Sequence, residues 1–281
     1  MALAAFLFLL PAWADAAAPM PAPTLFIAGD STAATYTSSD KNQQGWGAML
    51  QPFFDPAKLA VVNAARGGRS SRTFITEGHW EKMLADVKAG DFVIIQFGHN
   101  DSGALNQEPP GSTRPLRARG TIPGIGNESE EIDNVITGKH ETVYSFGWYL
   151  RKMIADTRAR GATPIVMTLT RTNTWKNGRI QCPSDTYRLW DWQTAQNEKV
   201  AFADLSRISA DRYQREGVEA VRAQFNDSVH TNVAGAEKNA ADVVSALRTL
   251  RGLPFRKMLS ARGRAVPADR GATKDSACPA L

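Results

Sequence analysis

Residues 91–97, DFVIIQF, constrain the fold more than any other stretch of the chain. The Val-Ile-Ile centre shows no polar alternation, which marks a strand covered on both faces, and such strands belong to parallel sheets held between helices. Four more β-rich runs are similar in kind: 24–28 (TLFIA), 59–63 (LAVVN), 163–170 (TPIVMTLT) and 199–205 (KVAFADL). Helical spacing separates them, over 78–89, 143–160, 187–198, 206–216 with Ser206 as its cap, and 233–251. Strands alternating with helices predict an α/β chain with a doubly wound, parallel, five-stranded sheet in a three-layer α/β/α arrangement.

The 281 residues hold one sizeable domain, placed at 24–253, with neither an internal repeat nor a linker to divide it. Residues 1–18 combine an apolar run, a proline and the small-x-small pattern Ala12-Trp13-Ala14, so they read as a cleaved signal peptide, although no Lys or Arg precedes the apolar run. That run is too short to span a bilayer, and no later segment does better. The expected location is therefore secreted or periplasmic. Residues 254–281 form a basic tail rich in Ala and Gly, expected to pack poorly. A net charge of +5 suits a polyanion, whether nucleic acid, an anionic membrane surface or an acidic polysaccharide. Cys182 and Cys278 make no zinc site, lacking histidine at ligand spacing, and could pair in an oxidising compartment.

The chemistry gathers where strands stop. The first run ends at Gly29-Asp30-Ser31, which makes Ser31 a candidate nucleophile at a cleft mouth, although Gly-Asp-Ser is also ordinary turn chemistry and Ser31 could simply cap a helix. The second ends in Arg66-Gly67-Gly68-Arg69-Ser70-Ser71, where paired glycines serve a tight turn or a backbone N–H aimed at the same cleft. The third ends in Gly98-His99-Asn100-Asp101. Of four histidines, His79 opens a helix, His99 suits packing next to the central strand, and His140 lies in the long loop 102–142. His230 stands three residues after Asp227 in a turn before the last helix, where the carboxylate can reach Nδ1 and leave Nε2 for a nucleophile. The loop 102–142 has no clear periodicity and carries Arg114, Arg117 and Arg119, which together with His140 and Trp175 are candidate substrate contacts over the cleft.

Gly29-Asp30-Ser31, Gly68 in NAARGGRSSR, Gly98-His99-Asn100-Asp101 and Asp227-Ser228-Val229-His230 resemble, in order, the four sequence blocks of the SGNH (GDSL) hydrolases. GDST, GWG, GGRSSR, FGHND and the long loop are most similar to the rhamnogalacturonan acetylesterases of carbohydrate esterase family 12. Gly67 stands where fungal members carry alanine, and the tail after Arg251 has no counterpart. The resemblance implies a flavodoxin-like fold, no metal or cofactor, and removal of acetyl groups from pectic rhamnogalacturonan. It implies Ser31 as nucleophile, His230 as base, Asp227 as its orienting carboxylate, and an oxyanion hole from the N–H groups of Ser31 and Gly68 and the amide of Asn100. The expected partner is an acetylated, acidic polysaccharide or oligosaccharide, with no nucleic acid and no membrane. Acetylesterases for xylan or peptidoglycan, a lysophospholipase or thioesterase of the superfamily, and a non-catalytic carbohydrate-binding protein are the alternatives. The polar, Arg-rich loop speaks against an acyl tunnel.

Overall fold

The computed structural model describes residues 22–37, 42–113, 115–182 and 186–281. The expected signal peptide and Arg114 lie outside them. The strands are β1 (Thr24–Gly29), β2 (Ala60–Asn63), β3 (Phe92–Gln96), β4 (Ser129–Asp133), β5 (His140–Tyr144), β6 (Thr163–Met167), β7 (Trp175–Lys176), β8 (Arg179–Ile180) and β9 (Ala201–Ala203). The helices are α1 (Ser71–Thr76), α2 (His79–Asp86), α3 (Phe146–Ala159), α4 (Thr186–Glu198), α5 (Leu205–Glu216), α6 (Val218–Arg222), α7 (Val233–Leu247) and α8 (Ala261–Ala265).

The five expected strands form one parallel sheet in the order β2-β1-β3-β6-β9. Their alternating side chains build the two cores of the expected three-layer sandwich. Leu25, Ile27, Phe92 and Ile94 face α5 and α7, meeting Leu205, Ile208, Val243 and Leu247. Phe26, Ala28, Val93 and Ile95 face the other way, onto Phe74, Trp80, Met83, Leu150 and Met153 of α1, α2 and α3. Every residue of β3 is buried: the apolar run Phe92–Ile95 as its composition requires, and Gln96 with its amide satisfied by the Trp46 indole and the Thr168 carbonyl. The chain moves from β1 outward to β2, then crosses β1 to reach β3, so the crevice beyond their carboxyl ends is the topological switch point where such folds bind ligands.

Several local readings need correction. Asp204 rather than Ser206 caps α5, accepting from the N–H of Arg207, while the Ser206 hydroxyl donates to the Leu169 carbonyl at 2.7 Å. The expected loop 102–142 ends in the antiparallel hairpin β4–β5, whose exposed polar face hid its strand character and which runs on to Tyr144, so α3 starts at Phe146 rather than 143; a second hairpin, β7–β8, occupies the loop after β6. A short α1 follows the glycine pair, started by a capping box between Ser70 and Thr73. The expected last helix, α7, stops at Leu247 rather than 251 and is followed by the short α8.

The basic tail packs more tightly than expected. Phe255 and Leu259 are buried at the amino end of the sheet, where the Phe255 ring lies 4.8 Å from that of Phe92 and Leu259 bridges to Phe54. The tail then runs along α5, held by an Arg207–Asp269 ion pair and by the Ala277 N–H on Asp211, and ends in a disulfide between Cys278 and Cys182. Apolar anchors spaced among small and cationic residues gave too weak a periodic signal to read in sequence.

Candidate active site

The turn after β1 is built by Asp30. Its Oδ1 accepts from both the N–H and the hydroxyl of Thr32 at 2.8 Å, which leaves Ser31 at the tip of the turn. Among the described residues no helix follows directly for Ser31 to cap; the next described element is the 3-10 turn Trp46–Met49. Gly45 passes so close to this turn that an added Cβ would lie 2.4 Å from the Ala33 carbonyl carbon, so only glycine fits. Trp46 is fully buried beneath, its indole N–H on Gln96 of β3.

Ser31 and His230, separated by 199 residues, meet there: Ser31 Oγ lies 2.9 Å from His230 Nε2. His230 Nδ1 lies 2.8 Å from Asp227 Oδ2. The other oxygen of Asp227 accepts from the N–H groups of Val229 and His230, both at 2.7 Å, so the turn folds around its own carboxylate. Burial works against the charge on Asp227, but the His230 and Val229 hydrogen bonds outweigh it and hold the pKa below the ordinary carboxylate value. An ionised Asp227 can only accept, so Nδ1 carries the proton and Nε2 accepts from the Ser31 hydroxyl. The turn is tied down by the N–H of Asn173 on the Ser228 carbonyl and by a ring contact of Phe225 with Tyr213.

The run Gly67-Gly68-Arg69 after β2 is held by three side chains, one at each carbonyl. The Arg69 guanidinium takes the oxygen of Gly67, Arg119 that of Gly68, and the Asn100 amide that of Arg69, all at 2.9 Å. Gly68 adopts φ +76°, a left-handed conformation that suits glycine. Among the described residues, neither the Ser31 N–H nor the Gly68 N–H donates to a protein acceptor. Asn100 spends one of its two amide hydrogens on Arg69 and keeps the other. Its neighbour Asp101 is fully buried and accepts from the N–H of Ser71 at 3.0 Å and from the Ser71 hydroxyl at 2.5 Å, joining the turn after β3 to the start of α1. Burial pushes the Asp101 pKa up to about 7, against the pull of the Ser71 hydrogen bonds and with a push from the Asp30 charge.

These groups line a cleft of about 870 Å³ that contains Ser31, Gly68, Asn100, His230, Arg117 and Arg119. Arg117 is exposed, whereas Arg119 is half buried, and burial and the Arg117 charge lower its pKa. Arg119 therefore has a structural task, steadying Gly68. His140 and Trp175 do not line this cleft. The His140 ring is held between Glu131 and Asp133 on the exposed face of its hairpin, and Trp175 packs onto the cluster around Cys278. Tyr36, Glu77, Glu108, Leu116 and Ile136 do line it and were not singled out in sequence. Tyr36 follows the nucleophile turn closely enough to have been considered; the others come from segments with no chemical pattern of their own. Among the described residues no group of three or more acidic, His or Cys side chains is arranged to hold a metal.

Residues 27–238 match the model of the GDSL-like lipase/acylhydrolase family. The chain belongs to that family. It is an esterase of the SGNH type, and its five-stranded parallel sheet with flanking helices is consistent with that fold. It is 31% identical over 216 residues to a rhamnogalacturonan acetylesterase of Emericella nidulans, across 76% of this chain and 80% of the relative. It is 32% identical over 237 residues to a probable rhamnogalacturonan acetylesterase of Bacillus subtilis, across 82% and 94%. The solved structure of the YxiM protein of Bacillus subtilis superposes with a TM-score of 0.64 at 26% identity, covering 82% of this chain and 57% of that one.

Proposed function

We propose that this esterase removes acetyl groups from an acidic polysaccharide, rhamnogalacturonan first among candidates, through an acetyl-serine intermediate. The observation that carries the reading is the unbroken relay Ser31–His230–Asp227, at 2.9 and 2.8 Å, inside a cleft open enough for a sugar chain. In the first half-reaction Ser31 Oγ attacks the acetyl carbonyl carbon while its proton passes to His230 Nε2. The negative charge that develops on the carbonyl oxygen falls to three donors that line the cleft: the N–H groups of Ser31 and Gly68 and the free amide hydrogen of Asn100. Collapse breaks the ester bond, and His230 returns the proton to the departing sugar oxygen. In the second, His230 takes a proton from water, the hydroxide attacks the acetyl-serine, and the proton goes back to Ser31 Oγ as acetate leaves. Asp227 keeps the imidazole in the tautomer that both halves need.

The substrate class follows from the cleft wall and the relatives. Arg117 presents an exposed guanidinium on that wall, suited to a sugar carboxylate, and the two relatives carry the rhamnogalacturonan name. Leu116 and Ile136 add an exposed apolar lip. Export fits the leader-like residues 1–18, and the Cys182–Cys278 disulfide suits an oxidising compartment. Acetate release from acetylated rhamnogalacturonan, acetylated xylan and acetylated peptidoglycan fragments, compared with fatty-acid release from long-chain acyl glycerophosphates, tests the assignment. Fastest release from rhamnogalacturonan is expected; preference for either of the other glycans would move the substrate, and preference for the long acyl chain would overturn the carbohydrate reading.

A further inference from the structure

The chain's charge is unevenly placed. Between positions 248 and 274 stand eight Lys or Arg and one acidic residue, an excess larger than the net +5 of the whole chain, so the remainder is net negative. This stretch lies beyond the residues that match the family model. Its one acid, Asp269, is engaged by Arg207.

The structure gathers these cations onto one surface. Arg248, just past α7, donates to the carbonyls of Arg264 and Val266, and the Arg256 guanidinium donates to the Arg248 carbonyl. The N–H of Asp269 reaches Ser245 in the last turn of α7, which brings Arg270 alongside. Anchored by Phe255 and Leu259, the patch covers the amino end of the sheet, the pole opposite Ser31, and continues along α5 toward Cys278. Cations near the carboxyl end of α7 satisfy its last carbonyls and its dipole, which explains Arg248 and Arg256. It does not explain Arg251, Lys257, Arg270 and Lys274. All four are exposed, and none of their side chains has an ion pair or hydrogen bond among the described residues.

We propose that this surface is a second binding site for a polyanion made of carboxylate-bearing sugar units, separate from the catalytic cleft. Arg248, Arg256, Arg262 and Arg264 are held by neighbours within the protein, and of the four remaining cations Arg251 and Arg270 each offer a planar fork that matches a carboxylate in two hydrogen bonds, with Lys257 and Lys274 adding charge. The stretch offers no exposed large apolar side chain that would enter a bilayer, and its single aromatic residue, Phe255, is fully buried and unable to stack on a nucleobase. A strip running from one pole along a flank suits an extended chain better than a compact ligand, and would hold the enzyme on an acidic polymer while the cleft works at another point. The site stands whether or not the proposed substrate of the cleft is right.

The test compares the full-length protein with a variant carrying Arg251→Ser, Lys257→Ser, Arg270→Ser and Lys274→Ser, none of which removes a contact that holds the fold. Binding is measured on immobilised polygalacturonate, uncharged dextran, phosphatidylglycerol vesicles and duplex DNA, together with hydrolysis of p-nitrophenyl acetate. The expected result is retention on polygalacturonate that weakens as NaCl rises from about 0.05 to about 0.5 M. The variant should bind about tenfold or more weakly, with esterase turnover unchanged within about twofold, as its residues lie outside the cleft. Equal binding by both proteins, no binding by either, or tighter binding to vesicles or DNA than to polygalacturonate overturns the proposal. Loss of p-nitrophenyl acetate hydrolysis in the wild-type protein would instead strike at the catalytic reading.

Discussion

Replacing Asp101 by Asn should flatten the dependence of stability on pH. The carboxyl of Asp101 holds its proton up to about pH 7 in the native state, because burial disfavours its charged form and the Asp30 charge adds to that, against the Ser71 hydrogen bonds. The unfolded chain gives up the same proton near pH 4. Between those values the native state binds more protons than the unfolded one, so stability falls as pH rises through the window and levels off above it. Each pH unit is worth about 1.4 kcal/mol, so the wild-type protein should lose roughly 3 kcal/mol from this group between pH 5 and 8. Asparagine keeps the oxygen that accepts from the Ser71 N–H and hydroxyl, and it carries no titratable proton. Any cost of placing an amide there is the same at every pH. Melting followed by circular dichroism at pH 5 and pH 8 should show a wild-type fall larger than the variant's by on the order of 5–10 °C, given about 2–4 °C per kcal/mol for a domain of this size. Parallel melting curves for the two proteins would refute the argument that Asp101 is buried as a neutral acid.

Further outcomes follow from the same geometry. Asn100→Ala should lower kcat by about 10²- to 10³-fold with little change in KM, since the amide serves the developing oxyanion; steady-state kinetics on p-nitrophenyl acetate checks it. Asp227→Asn should cost about 10⁴-fold in kcat, because an amide facing Nδ1 stabilises the wrong tautomer while leaving the fold intact. Cys278→Ser should lower stability by up to about 5 kcal/mol, the cost of releasing a closed loop of nearly a hundred residues, read from denaturant midpoints with and without reductant.

The fold was legible where burial wrote itself into the sequence. The five sheet strands follow the expected runs to within one residue, most plainly β3, whose apolar residues 92–95 are buried. Block order pointed to Ser31, Asp227 and His230 more than any one residue did: Asp227-x-x-His230 arises by chance in many chains, and only the fold brings His230 to 2.9 Å from Ser31. What stayed hidden has a common physical cause. The β4–β5 hairpin faces solvent and is polar along most of β4, so neither period nor hydrophobicity announced it. Arg119 was legible as a charge near a cleft, but its bond to the Gly68 carbonyl joins residues 51 apart, and no local pattern encodes that. The tail reads as loose by composition, yet Phe255, Leu259 and Cys278 suffice to fasten it.

The central claim is that Ser31 carries the acetyl group between the two half-reactions. Rapid-quench mass spectrometry of the enzyme mixed with p-nitrophenyl acetate measures this directly. A mass increase of one acetyl group on the peptide containing Ser31, absent in Ser31→Ala along with turnover, is the predicted result. Acetylation of a different side chain, or a Ser31→Ala variant that still turns over at the wild-type rate, would contradict it.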